Sequence, residues 1–131
     1  MKKKPYLEFK DDILKYKLSL RYLLDNGRRL SKLYQYNKNG CGAKGGHKFP
    51  DTIWGVDVQS ACHCHDISWH ISTKYKDLTD ADMQFTHDLK LICDKESANA
   101  FMAWLRRLRI ATYSFGVDEF GLEDYARKRG F

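Results

Sequence analysis

The sequence contains few residues that interrupt regular structure, with only two prolines and nine glycines among 131 residues. This scarcity excludes a collagen-like chain and a proline-rich linker. A hydrophobic content of 43% with 31% charged residues also argues against intrinsic disorder. We therefore predict a mainly α-helical protein that forms a single domain over residues 1–131.

The sequence also lacks long apolar runs. No stretch approaches the roughly 18 consecutive apolar residues that span a bilayer. The basic start at Lys2–Lys4 leads to Glu8 and Asp11 instead of an apolar segment, so we predict no secretory signal. We expect synthesis in the cytoplasm and peripheral contact with membrane, with a phage-associated role or a specialised export route left open.

The formal net charge of +6 arises from 23 Lys and Arg against 17 Asp and Glu. An anionic partner such as a phospholipid surface or nucleic acid is compatible with this excess, and so is a basic face exposed only to solvent. The four cysteines are too few for a disulfide scaffold. They are compatible with two bridges, one bridge or a metal site.

Four segments carry apolar residues at helical spacing, and a shorter fifth segment lies near the C-terminus. Asn26 and Gly27 supply a stop after the first segment, and Thr79 is a candidate cap for the third. The predicted helices span Leu7–Asp25, Asp57–Thr73, Thr79–Asp94, Ser97–Phe115 and Leu122–Lys128.

The fourth predicted helix has two distinct sets of side chains. Its apolar set is expected to face the core and its arginines to face solvent. The apolar set is Phe101, Trp104, Leu105, Leu108 and Ala111, and the arginines are Arg106, Arg107 and Arg109.

The segment from Tyr36 to Pro50 has four glycines within seven residues and no periodicity. Such a loop can turn several backbone carbonyl groups toward one bound ion. Downstream, His65 shares the apolar stripe of the second helix, and Asp66 lies at the edge of that stripe. Asp82 and Phe85 lie on the inner face of the third helix, where an unpaired carboxylate would be costly, so Asp82 should have a partner.

Three features in this order resemble the phospholipase A2 family, over roughly residues 39–93. They are the glycine-rich loop Cys41-Gly42-Ala43-Lys44-Gly45-Gly46, the helix motif Cys62-His63-Cys64-His65-Asp66, and an aspartate, Asp82, on the following helix. The preceding Pro50-Asp51-Thr52-Ile53-Trp54-Gly55 is similar to a stretch in the small prokaryotic and phage-type members.

The resemblance implies a calcium-dependent hydrolase of the sn-2 ester bond of phospholipids. Asp66 would give the calcium ion a carboxylate, and backbone carbonyls at Gly40, Gly42 and Gly45 would complete the site. The loop has one residue more than the family's Cys-Gly-x-Gly-Gly pattern, so Lys44 is an alternative to Gly45.

The catalytic roles are also carried over by the resemblance. His65 would be the general base that takes a proton from water, and Asp82 would orient it. In the animal enzymes an aromatic hydroxyl one turn after the base bonds the supporting aspartate. Trp69 occupies that position here, and Tyr113 is a second candidate for the hydroxyl.

The same resemblance implies a phospholipase A2-like fold, with two antiparallel core helices, an N-terminal amphipathic helix and a C-terminal helix. It also implies a disulfide between Cys41 and Cys62, and Cys64 and Cys93 are then left as a possible second pair. We expect a monomer that contacts a phospholipid surface and does not bind nucleic acid.

Other interpretations remain open at the level of sequence. His65 could be a core histidine, and Asp82 could be only a capping residue near a helix start. A related protein that has lost catalysis would bind membrane without hydrolysing it. A zinc module that contacts nucleic acid is a further alternative, since Cys62, His63, Cys64 and His65 are all possible ligands.

Overall fold

The computed structural model describes residues 4–36, 51–117 and 121–131, and it confirms a mainly helical protein with one small sheet. The side chains of Tyr36 and of residues 114–117 are outside this description. The α-helices are α1 (Tyr6–Tyr16), α2 (Gly27–Tyr36), α3 (Gln59–Ile71), α4 (Tyr75–Glu96), α5 (Ala100–Val117) and α6 (Glu123–Arg129). A 3₁₀ helix spans Ser19–Asp25, and the strands are β1 (Thr52–Ile53) and β2 (Val56–Asp57).

The predicted first helix is in fact two helices that meet at Lys17. Lys17 adopts the left-handed conformation, with φ 55° and ψ 50°, and its backbone N–H caps the carbonyl of Ile13. A left-handed residue ends an α-helix, so the chain turns before the 3₁₀ helix begins. Phe9, Ile13 and Leu20 from these two helices are all buried in the core.

Helix α2 was missed because Asn26-Gly27 was interpreted only as a stop. Asn26 also starts the next helix, since its side-chain oxygen accepts the backbone N–H of Arg29 and its carbonyl accepts that of Leu30. This is the N-cap arrangement that asparagine favours. Helix α2 then contributes Leu30 and Tyr34 to the core.

Helices α3 and α4 form the antiparallel pair at the centre of the molecule. Side-chain contacts join His65 to Asp82 and Trp69 to Leu78, so positions further along α3 meet earlier positions on α4. Helix α4 begins four residues before Thr79, whose hydroxyl donates to the carbonyl of Lys76 inside the helix. The predicted cap at Thr79 is therefore wrong.

The stretch before α3 forms a tight hairpin. Trp54 and Gly55 connect the strands with φ values of 46° and 82°, as a two-residue turn of the primed type requires. Ile53 pairs with Val56 in the antiparallel register, and the N–H of Val58 then donates to the carbonyl of Asp51. The hairpin delivers the chain to the start of α3.

Helix α5 faces the core with the side opposite to the one predicted. Ile110, Tyr113 and Arg106 are buried, whereas Phe101 and Trp104 are exposed. Arg106 donates to Ser97 Oγ at 2.8 Å and to the carbonyl of Trp54 at 2.9 Å. These bonds satisfy two donor groups of the guanidinium, which makes its burial tolerable.

The predicted fifth helical segment, Leu122–Lys128, corresponds to helix α6, which covers the end of the α3–α4 pair where Trp69 and Leu78 lie. Leu122 and Ala126 join Trp69, Leu78 and Ala81 in a second apolar cluster, separate from the main core. Each helix in the described residues is either too short or too polar to span a bilayer.

Candidate active site

His65 and Asp82 form a buried pair across the α3–α4 interface. The distance from His65 Nε2 to Asp82 Oδ1 is 2.6 Å, and each residue is 7% exposed. A separation this short is typical of a charge-assisted hydrogen bond to a carboxylate. Asp82 lies two turns into α4, so the alternative that it only caps the helix start is excluded.

Trp69 supports the same carboxylate, which is the contact expected at its position. Its indole Nε1 donates to Asp82 Oδ1 at 3.0 Å and also approaches the carbonyl of Leu78 at 3.2 Å. The ring centroids of Trp69 and Phe85 lie 4.5 and 4.9 Å from that of His65. The contact with Asp82 and the two neighbouring aromatic rings therefore help to hold the imidazole in place.

The contact between Nε2 and the Asp82 carboxylate determines the tautomer of His65. A carboxylate accepts a hydrogen bond, so Nε2 carries the proton and the lone pair is on Nδ1. This is the tautomer that a general base needs. The second nitrogen can take a proton while Asp82 stabilises the imidazolium that results.

Tyr113 does not have the role predicted for it. Its hydroxyl donates to the carbonyl of Thr52 at 3.0 Å. A hydroxyl carries one proton, so Tyr113 cannot also donate to Asp82. It instead fastens α5 to the hairpin, and Trp69 is the aromatic residue that bonds the supporting aspartate.

Asp66, next to His65 on α3, has a different environment. Its Oδ2 atom is buried and has no hydrogen-bond partner in the described part of the chain. Burial raises the pKa of this carboxyl well above its ordinary value. An isolated buried carboxylate is costly unless a cation or donor compensates it.

The unpartnered Oδ2 oxygen of Asp66 is one ligand of the kind that a hard cation such as calcium favours, since calcium takes carboxylate and carbonyl oxygens. A cation beside Oδ2 would remove the cost of ionising this side chain. The predicted carbonyl ligands at Gly40, Gly42 and Gly45 lie outside the described residues, so that part of the ligand set stays a prediction.

The second predicted disulfide is wrong. Cys64 and Cys93 are both free and buried. The Cys64 thiol lies near Asp88, and the Cys93 thiol lies near Arg106 of α5. Burial raises the pKa of the Cys93 thiol to about 11.

Cys62 is buried and is not one of the free thiols. Its predicted partner Cys41 lies outside the described residues. The bridge between the glycine-rich loop and α3 therefore stays a prediction.

The zinc alternative requires neighbouring side chains on α3 to converge, and they diverge. His63 packs against the rings of Tyr34 and Phe9, Cys64 lies near Asp88, and His65 bonds Asp82. Over residues 4–36, 51–117 and 121–131, no group of three or more His, Cys, Asp or Glu side chains is placed to hold a metal ion. The consecutive residues Cys62–His65 therefore do not form one site by themselves.

Two structural contacts near the site were missed by sequence reasoning. Asp88 is 1% exposed and accepts hydrogen bonds from the Ser19 backbone N–H at 3.0 Å and from the Ser19 hydroxyl at 2.7 Å. Burial raises its pKa to about 6. The pairing of two residues 69 positions apart has no local sequence signal.

Arg129 is the other missed contact. Its guanidinium donates to the carbonyls of Trp69, His70 and Ser72, which caps the C-terminal end of α3. The ring of Tyr125 lies 4.8 Å from that of Trp69. Helix α6 therefore holds Trp69, the residue on α3 that donates to Asp82. The basic final turn of α6 was the only sequence feature that pointed to the Arg129 contact.

Comparison with known protein families, with curated proteins and with solved structures gives no match for this chain.

Proposed function

We propose that this protein is a calcium-dependent hydrolase of the sn-2 ester bond of phospholipids, with a phospholipase A2-like site. The observation that carries the proposal is the buried relay from Trp69 through Asp82 to His65, with an unpartnered Asp66 oxygen beside it. The order of the glycine-rich loop, the His-Asp motif and the later aspartate resembles that family.

The proposed reaction uses His65 as a general base. Nδ1 takes one proton from a water molecule as the water oxygen attacks the ester carbonyl carbon. Asp82 stabilises the positive imidazolium through Nε2, and Trp69 fixes the carboxylate that does so. The ester bond to the glycerol oxygen then breaks and His65 returns the proton to that oxygen, which gives a fatty acid and a lysophospholipid.

Asp66 and the carbonyls of Gly40, Gly42 and Gly45 would hold the calcium ion. Bound calcium supplies positive charge that stabilises the developing oxyanion of the ester. Asp66 follows His65 directly in α3. A calcium ion held by its carboxylate would therefore act on the same ester group that the water activated by His65 attacks.

The intact relay favours this proposal over a related protein that only binds membrane. A non-catalytic protein has no need to keep a carboxylate buried against an imidazole at 2.6 Å, because burying such groups has a cost that only good pairing offsets.

The test is release of fatty acid from mixed phosphatidylcholine–phosphatidylglycerol vesicles, with calcium or with excess chelator. We expect the parent to hydrolyse only with calcium, and His65→Gln to lose activity by about 10³-fold or more, because it has no general base. The far-ultraviolet circular dichroism of the variant should match the parent. Activity that persists in chelator, or in folded His65→Gln, would contradict the proposal.

A further inference from the structure

Helix α5 carries an exposed apolar stripe on the side that faces away from the core. Phe101, Trp104 and Leu108 are 63%, 55% and 54% exposed, and they share one face at spacings of three and four residues. The rings of Phe101 and Trp104 lie together, with centroids 6.1 Å apart. Below we call these three residues the α5 stripe.

The charges around the α5 stripe are arranged for an anionic partner. Arg107 and Arg109 adjoin Leu108 in sequence, so they lie about 100° to either side of it around the helix axis. Both are exposed, and Arg107 also pairs with Asp94 at the rim. Helix α5 itself contains no acidic residue. An apolar stripe edged by arginines can insert between lipids while the guanidinium groups stay at the headgroups.

The size of the α5 stripe indicates that its partner is a bilayer and not a second copy of this chain. Partly exposed side chains of this kind offer on the order of 300 Å² together. A stable protein interface needs about 800 Å² from each partner. A lipid surface needs no matching shape, so a small stripe with a tryptophan and flanking cations suits it better.

We propose that the α5 stripe, with Arg107 and Arg109, is the surface by which this protein docks on anionic phospholipid bilayers. The inference rests on the proposed function, since a phospholipid hydrolase must reach its substrate in a membrane. Arg106 fixes the orientation of the stripe through Trp54 and Ser97. Helix α5 packs on α4, which carries Asp82, so the docking surface is attached directly to the helix pair that bears the site.

The test measures co-sedimentation with phosphatidylcholine vesicles that contain or lack phosphatidylglycerol, in the His65→Gln background so that no lipid is consumed. The triple variant Phe101→Ala/Trp104→Ala/Leu108→Ala should bind anionic vesicles about tenfold more weakly or worse. Arg109→Glu should weaken binding to anionic vesicles and leave the weak binding to neutral vesicles unchanged. All four side chains are exposed, so the fold should persist by circular dichroism.

The matched control is Leu7→Ala/Leu14→Ala, which removes two equally exposed apolar side chains from α1, at 70% and 58% exposure. This control should bind like the parent. The proposal is overturned if the triple variant binds like the parent or if the control loses as much binding. It is also overturned if sedimentation equilibrium shows a parent dimer that the triple variant abolishes, which would assign the stripe to a second copy.

Catalysis is scored separately, with a soluble short-chain phospholipid below its micelle concentration and with the catalytic His65 retained. The triple variant should hydrolyse this monomeric substrate at the parent rate, because the α5 stripe acts only on the bilayer. A triple variant that is slow on monomers would overturn the docking role. A parent that binds vesicles through the stripe but hydrolyses neither substrate would contradict the proposed function and leave the docking surface standing.

Discussion

Asp82 accepts two hydrogen bonds on one oxygen, from the imidazole of His65 and the indole of Trp69. In a buried setting each such bond is worth more than in water, and loss of one donor leaves charge less well compensated. Trp69 acts on His65 through Asp82, to which its indole N–H donates. It is therefore a positioning residue.

Replacing Trp69 with Phe should test that role. Phe keeps the aromatic contact with His65 but has no N–H, so Asp82 Oδ1 would lose the hydrogen bond from the indole. We expect kcat to fall roughly tenfold, with a loss of about 1 kcal/mol in the free energy of unfolding. The measurement is vesicle hydrolysis combined with urea unfolding.

Trp54→Phe is the matched control, because Trp54 is 52% exposed on the hairpin turn. Its activity and stability should stay close to those of the parent. If Trp69→Phe hydrolyses lipid at the parent rate, the indole bond has no part in catalysis.

Asp88 predicts a pH dependence of stability. Its pKa is about 6 in the folded protein against 3.8 for the ordinary side chain. Between about pH 4 and pH 6 the folded protein keeps a proton that the unfolded chain releases, so stability falls as pH rises through this window. The full effect is about 3 kcal/mol.

Asp88→Asn should flatten that decrease, as measured by urea unfolding from about pH 4 to about pH 7. Asp80→Asn is the control, because Asp80 lies exposed on the same helix in an ion pair with Lys76. Asp66 also has a raised pKa, so only the difference between parent and Asp88→Asn isolates Asp88. An equal pH dependence in both proteins would show that Asp88 does not titrate in this range.

At the scale of whole elements, sequence periodicity located the helices of the site well. Helix α3 was predicted to within two residues at each end, because a buried helix repeats apolar residues with the period of its own turns. The inward face of the second of these helices indicated that Asp82 needs a partner, and the choice of His65 as that partner came from the resemblance to the phospholipase A2 family. The inward face of each helix was thus predictable from its apolar stripe, whereas the antiparallel arrangement of the two helices was implied by the resemblance.

Helix α5 shows where periodicity fails. The larger apolar set, including Phe101 and Trp104, lies in solvent, and Arg106 lies inside. Periodicity shows that a helix has an apolar face. It cannot show that distant acceptors, Ser97 Oγ and the Trp54 carbonyl, accept the hydrogen bonds of a buried Arg106 guanidinium. The break at Lys17 escaped prediction for a similar reason, since lysine carries no signal for a left-handed turn.

The orientation of α5 can be tested with two arginines on the same helix. Arg106→Ala should cost about 2–3 kcal/mol, because it leaves the Trp54 carbonyl without its donor and opens a space in the packing. Arg109→Ala should change the free energy of unfolding by less than about 0.5 kcal/mol, since that side chain is exposed. Urea unfolding of both variants gives the comparison, and equal losses would contradict the orientation of α5.

At the scale of the whole molecule, the α3–α4 pair is held from two sides. The main core packs α1, the 3₁₀ helix and α2 against it, while α6 closes a second apolar cluster around Trp69. Gly121 lies against the Trp69 ring, where an added Cβ would come within 3.3 Å. The site therefore lies between two packed regions, which limits the movement of His65 and Asp82.

The two neighbouring site residues, His65 and Asp66, have different surroundings and so different proposed roles. His65 bonds Asp82 through Nε2, whereas Asp66 has a buried oxygen without a partner in the described part of the chain. We propose that His65 moves protons and that Asp66 holds calcium. A substitution at one position should then leave the function of the other measurable.

Calorimetric titration of calcium into the parent, His65→Gln and Asp66→Asn tests this division most directly. We predict that His65→Gln binds calcium as the parent does and that Asp66→Asn, with its carboxylate charge removed, shows no saturable binding. Calcium binding by folded Asp66→Asn with the parent affinity, or its absence from the parent, would contradict the assignment of Asp66 as the calcium carboxylate.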